Sequence, residues 1–190
     1  MNTAPNTKSL PDLPRKGDWI ATYSGQRFYP FDPRIEEIDI NDISHSLSNL
    51  CRFGGHCSTF YSVGQHSVLV SLMSSPEDAL WGLLHDASEA YLVDVPSPLK
   101  KMPEFAAYRV AEKKLQEVIC QTFSLPLEEP KSVSVADKRI LATEARDLTF
   151  TQGRGWSTTA WPYDFSITPW TPEHTRVRFM RRLHELTRKI

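Results

Sequence analysis

The segment Leu83-Leu84-His85-Asp86-Ala87-Ser88-Glu89 sets an imidazole beside a carboxylate inside an otherwise apolar, helix-forming stretch. Burying both groups without a partner is costly. A divalent cation satisfies both at once, and mixed nitrogen and oxygen donors suit one Zn, Co, Mn, Ni or Fe ion, with Mg also admissible. Two side chains do not close a coordination shell, so other parts of the chain must supply more ligands. Upstream stands His66, in Tyr61-Ser62-Val63-Gly64-Gln65-His66-Ser67, with His56 as a rival; downstream stands Asp137, in Val133-Ser134-Val135-Ala136-Asp137. Glu89 comes one turn after the His85-Asp86 pair, on the same stripe of a helix. A carboxylate there can accept a proton from a water held at the cation, or orient it. Asp94 follows just past the expected helix end and can reach back to the same place.

These side chains need elements to hold them. Residues 1–16 carry three prolines and no apolar periodicity, which predicts a mobile tail. Trp19 to Tyr23 and Gln26 to Pro30 flank Ser24-Gly25 and predict a small hairpin. From there the pattern is helical. Ile40, Ile43, Leu47 and Leu50 keep a helical period over about Asn41 to Cys51. Ser62 with Gln65 three residues on reads as a capping box, starting a helix that carries His66 and ends near Met73. Ser75-Pro76 predicts the start of the helix bearing His85-Asp86, running to about Tyr91. Pro96, Pro98 and Pro103 bracket a loop. Amphipathic helices are then expected from Pro103, over Lys131 to Phe150, and from a Thr171 cap to the C-terminus, with 151–171 as loop. The fold class is all-α, with one small β-hairpin.

Length and charge narrow the function. A chain of 190 residues supports one domain, here 17–190. Its 22 basic and 23 acidic residues leave no global field for stable nucleic-acid binding. No apolar run is long enough for a bilayer span, so no membrane partner is expected. Cys51, Cys57 and Cys120 are odd in number and lack CxxC spacing. They read as free thiols of a reducing cytoplasm. The basic residues of the last helix read as a solvated face.

The order His66, His85-Asp86, Asp137 resembles the HD-domain phosphohydrolase superfamily, over roughly Trp19 to Phe150. His85-Asp86-Ala87-Ser88-Glu89 followed by Asp94-Val95-Pro96-Ser97-Pro98-Leu99-Lys100 is similar to its bacterial 5′-deoxynucleotidases. Arg52-Phe53-Gly54-Gly55-His56 and Tyr61-Ser62-Val63-Gly64-Gln65-His66-Ser67 are similar to its compact phage-type branch, which includes a dATP triphosphohydrolase. The resemblance implies a compact helical bundle, a metal held by His66, His85, Asp86 and Asp137, and catalytic roles for Glu89 and Asp94. It prefers His66 to His56 as the upstream ligand. It implies that Arg52 contacts phosphate or sugar and that Phe53 packs beside the nucleoside. His56 and Lys100 are candidates for phosphate contact. Gln65 stands where the family often has Glu, which removes a supporting carboxylate. The implied activity is hydrolysis of a deoxynucleotide in a bacterial cytoplasm, the gene being bacterial or phage-borne, by a homo-oligomer. One reaction releases triphosphate from a dNTP, with dATP favoured; the alternative is a 5′-deoxynucleotidase that removes phosphate from a dNMP. A nucleotide-sensing module without turnover is a more distant alternative.

Overall fold

A computed structural model describes residues 14–156 and 160–188. The chain is mostly helical, with one two-stranded antiparallel hairpin near its N-terminus. Strands β1 (Ile20–Ala21) and β2 (Arg27–Phe28) pair with Ile20 opposite Phe28 and Ala21 opposite Arg27. Ser24, in the hairpin turn, donates its backbone N–H and its hydroxyl to the Asp42 carboxylate at 2.6 and 2.9 Å. Asp42 lies on helix α1 (Ile40–Asn49), so the turn is tacked to the helical body.

Most of the expected tail, residues 1–13, lies outside the described residues. Its last part makes contacts with the chain that follows. Arg15 pairs with Asp32 at 3.0 Å and Glu37 at 2.5 Å, and its guanidinium covers the Tyr29 ring.

Helix α2 (Val63–Met73) is the centre of the molecule. Val63 through Val68, Val70 and Ser71 are all buried. Apolar and small residues on every side mark a helix surrounded by others, here α1, α3 (Ala79–Leu84), α7 (Lys131–Leu148) and α8 (Pro172–Thr187). Gly64 permits that closeness, since a Cβ there would sit 2.9 Å from Thr175 Cγ2 and 3.1 Å from the Ser48 nitrogen. Ser62 caps α2 by accepting from the Gln65 N–H at 3.1 Å. The reciprocal half of the capping box does not form. The Gln65 amide instead donates to the Thr168 carbonyl and accepts from the Trp170 N–H, at 2.9 and 2.8 Å. A glutamate could not make the first of these bonds.

The predicted helix from Ser75 to Tyr91 is two short ones. The chain turns through 76–78, forms α3, turns again through 85–88 and re-enters α4 (Glu89–Leu92). The 85–88 turn is tightened by bonds from Ala87 N–H to Leu84 and from Glu89 N–H to Asp86. This three-residue spacing is characteristic of a 3₁₀ segment. The proline loop contains one helical turn, α5 (Ser97–Lys100). It leads through a 3₁₀ turn at Pro103–Phe105 into α6 (Ala106–Thr122). Thr171 caps α8 by accepting from the His174 N–H. Residues 151–156 and 160–171 hold no helix or strand. Among the described residues no helix is long and apolar enough to cross a membrane. The three cysteines are free thiols, with 4.0 Å between the sulfurs of Cys51 and Cys57.

Candidate metal centre

Three helices aim side chains at one point. His66 comes from the first turn of α2, His85-Asp86 from the turn after α3, and Asp137 from the second turn of α7. The Nε2 atoms of His66 and His85 are 3.1 Å apart. Asp86 Oδ2 lies 3.5 Å from the first and 3.3 Å from the second. Asp137 Oδ1 lies 3.2 and 4.0 Å from the same two nitrogens.

The far nitrogens fix what this point looks like chemically. His85 Nδ1 is 2.8 Å from the Gly82 carbonyl, which can only accept, so Nδ1 carries the proton. His66 Nδ1 is 2.7 Å from Glu144 Oε1, in a fully buried carboxylate. Arg52 and His66 hold Glu144 ionised against the opposing effect of burial, so His66 Nδ1 donates too. Both Nε2 atoms therefore present lone pairs, and two carboxylate oxygens meet them. Four electron-rich atoms this close repel one another unless a cation or a proton lies among them. His66, His85 and Asp86 already form a group able to hold a metal ion, and their nitrogen and oxygen donors fit a divalent transition metal.

With protein groups alone, a proton is favoured. Burial and Arg52 both oppose charging His66, yet Glu144 and Asp137 outweigh them and push its pKa up to about 10. Burial likewise resists ionisation of Asp86, but His85, His66 and Arg52 hold its carboxyl far below the usual range. A metal must displace the His66 proton. Against burial, the pKa of His85 is raised as well, chiefly by Asp86. The apparent affinity is therefore expected to rise with pH up to about pH 10, with at least one proton released. Zn titrations against a chelator at pH 7, 8 and 9 check this; an affinity independent of pH contradicts it.

The remaining expected residues fall into two groups. Glu89 is buried, and Lys100 donates to its Oε1 at 3.0 Å and to Glu112 at 2.6 Å. Burial is the main reason that the Glu89 carboxyl is pushed well up; Asp86 and Asp94 add to this, and Lys100 and Arg52 counter it. Asp94 is half-buried beside this pair. It is held there by Val93, whose φ of 62° and ψ of 159° belong to a region that is essentially glycine's. The Val93 carbonyl is pinned by the Tyr108 hydroxyl at 2.8 Å. A cleft of about 360 Å³ opens beside the cluster. His85, Asp86, Asp137 and Glu129 line it, with Lys100, Arg109 and Lys113 as its cations.

Of the remaining expected residues, Lys100 lines that cleft, whereas Glu89, Asp94, Arg52, Phe53 and His56 are not among its lining residues. Arg52 is buried, with Nη1 3.4 Å from Asp86 Oδ2 and Nη2 3.3 Å from Glu144 Oε2. Its place is fixed by a bridge between Cys51 and Ser62 and by its own N–H donating to Tyr61. Phe53 (φ 57°) and Gly54 (φ 59°) turn the chain sharply. The Phe53 ring meets Trp156 edge-on at 5.6 Å, and His56 is exposed.

Glu144 escaped the sequence reading. Its signal was present: it lies two turns after Asp137, in step with the inward residues Ala136 and Ile140 of α7. An acidic residue at an apolar-face position was the mark. Its carboxylate meets His66 Nδ1 from α7.

Fold and site together define a mostly helical protein with a His–Asp cluster suited to a divalent metal. No protein-family model matches the chain. It is 41% identical over 172 residues to Uncharacterized protein YfdR of Escherichia coli (strain K12), covering 89% of this chain and 96% of that protein. It is also 31% identical over 140 residues to Uncharacterized protein RCAP_rcc00048 of Rhodobacter capsulatus, covering 69% and 71%. The chain belongs to the same family as YfdR.

Proposed function

We propose that the chain is an HD-type metal-dependent phosphohydrolase of deoxynucleotides, cleaving a dNTP, preferably dATP, into deoxynucleoside and triphosphate. The observation that carries this reading is the convergence of His66 Nε2, His85 Nε2, Asp86 Oδ2 and Asp137 Oδ1 beside an open cleft. These four side chains would hold the metal. When bound, it supplies Lewis acidity, polarising a phosphoryl oxygen and acidifying water.

The chain's own groups do the rest. Phosphoryl transfer asks chiefly for positioning and charge neutralisation. Lys100, Arg109 and Lys113 bring positive charge to a cleft whose other ionisable groups are largely acidic. Glu89, which feels the charge of Asp86 and is held by Lys100, is the group assigned to take the proton of the attacking water. Lys100 Nζ holds its carboxylate in place at 3.0 Å. Water oxygen adds to the α-phosphorus, the bond from phosphorus to the 5′ oxygen breaks, and that oxygen takes up the proton received by Glu89 and leaves as the deoxynucleoside hydroxyl.

The test is a panel of dNTPs and dNMPs with Mn, Co, Zn, Ni and Mg, separating triphosphate from orthophosphate. Triphosphate released from dATP is the expected product. Orthophosphate from dNMPs alone replaces the reading with 5′-deoxynucleotidase activity. Inertness toward the whole panel removes both.

A further inference from the structure

We propose that Glu144 is a positioning residue for the metal centre, setting which nitrogen His66 turns to the ligand site, with Arg52 locking Glu144 to Asp86. The inference needs the cluster to bind a divalent cation, as the proposed function does, but it is independent of the substrate.

Four contacts form a closed ring. Glu144 Oε1 accepts from His66 Nδ1 at 2.7 Å, and Arg52 Nη2 lies 3.3 Å from Glu144 Oε2. Arg52 Nη1 lies 3.4 Å from Asp86 Oδ2, which returns to His66 Nε2 at 3.5 Å. Helix α7 thus touches both nitrogens of one imidazole. Asp137 meets Nε2 at 3.2 Å, and Glu144, seven residues later on the same face, meets Nδ1. A carboxylate on the outer nitrogen fixes the tautomer and ring plane of a ligating histidine and raises its donor strength.

Stability alone gives no reason for this arrangement. The Glu144 side chain is fully buried and that of Arg52 is 10% exposed. Buried ion pairs of this kind are commonly matched or surpassed in stability by apolar side chains of similar volume. Arg52, engaged on both Nη atoms, belongs to this frame rather than to the cleft.

Zn and Mn affinities of the full chain are measured by chelator competition for the wild type, Glu144→Gln, Glu144→Leu and Arg52→Gln, with circular dichroism as a control for folding. Glu144→Leu is expected to lose about 10–100-fold in affinity, the usual effect of losing such a partner. Glu144→Gln, which can still accept from Nδ1, recovers part of the loss. A second measurement uses only the wild type. Imidazole ¹⁵N resonances of Zn-loaded protein should show His66 protonated at Nδ1 and metallated at Nε2. Unchanged affinity in both Glu144 variants, or metal on Nδ1, overturns the proposal while leaving the metal centre intact. A wild type that binds neither metal overturns both.

Discussion

Asp86→Ala is expected to abolish metal loading and turnover together, with losses larger than the roughly 10–100-fold seen when only a supporting partner is removed. Among the described residues, Asp86 Oδ2 is the one carboxylate oxygen that lies within 3.5 Å of both metal-facing nitrogens. Without it, two imidazoles remain 3.1 Å apart with Asp137 as the single acidic ligand. The same change takes a carboxylate from Arg52, whose Nη1 is 3.4 Å away. That buried positive charge is then less neutralised and works against any cation in the pocket. Removing one partner of a buried pair also weakens folding. Asp86→Asn is therefore the sharper variant, since it keeps the shape and loses the charge. Metal content by mass spectrometry, product release and melting temperature are read on the same preparations. Wild-type metal content in both variants removes Asp86 from the site.

Much of this centre was legible because its ligands carry their own signals. His85-Asp86 is an isolated polar pair among leucines, and Ser62 with Gln65 places His66 at a helix start. The helices followed from apolar periodicity, as in α7, expected over Lys131 to Phe150 and observed over Lys131–Leu148. The misread parts depend on competition that periodicity does not encode. The His85 ring takes the Gly82 carbonyl, and three-residue bonding tightens the chain just there, so one expected helix became α3 and α4. Glu89 consequently enters on a new helix rather than riding the stripe of His85. Gln65 suits a capping box in sequence, but a loop 103 residues away offers its amide a donor and an acceptor at once. Arg52 was expected to contact phosphate or sugar. The Cys51–Ser62 bridge swings it inward onto Asp86 and Glu144. For Gln65 and Arg52 a partner far away in sequence decided, which no local window shows, whereas at His85 the competing bonds are local, three residues back.

Glu89→Gln should keep the metal and lower turnover on the order of 100-fold or more, the usual scale for a lost acid–base group. Its effect on stability should run the other way. The folded-state pKa of Glu89 lies above its unfolded value, chiefly because of burial and then because of Asp86 and Asp94. The folded chain thus binds this proton more tightly than the unfolded chain. Its favourable contribution is present in acid and is lost as pH rises through the folded pKa, so ionised Glu89 costs stability at neutral pH. Glutamine carries no such charge. The variant should melt higher than the wild type at neutral pH, by about 2–4 °C for each kcal/mol recovered in a chain of this size. The difference should shrink toward acid. Lys100 holds the Glu89 pKa down from 3.0 Å. Lys100→Met is then expected to raise it further and to move the acid limb of kcat/KM to higher pH. A structural role for Glu89 predicts the opposite pair of results, a lower melting temperature and a pH profile indifferent to Lys100. Turnover at the wild-type rate in Glu89→Gln takes the proton transfer away from this residue altogether.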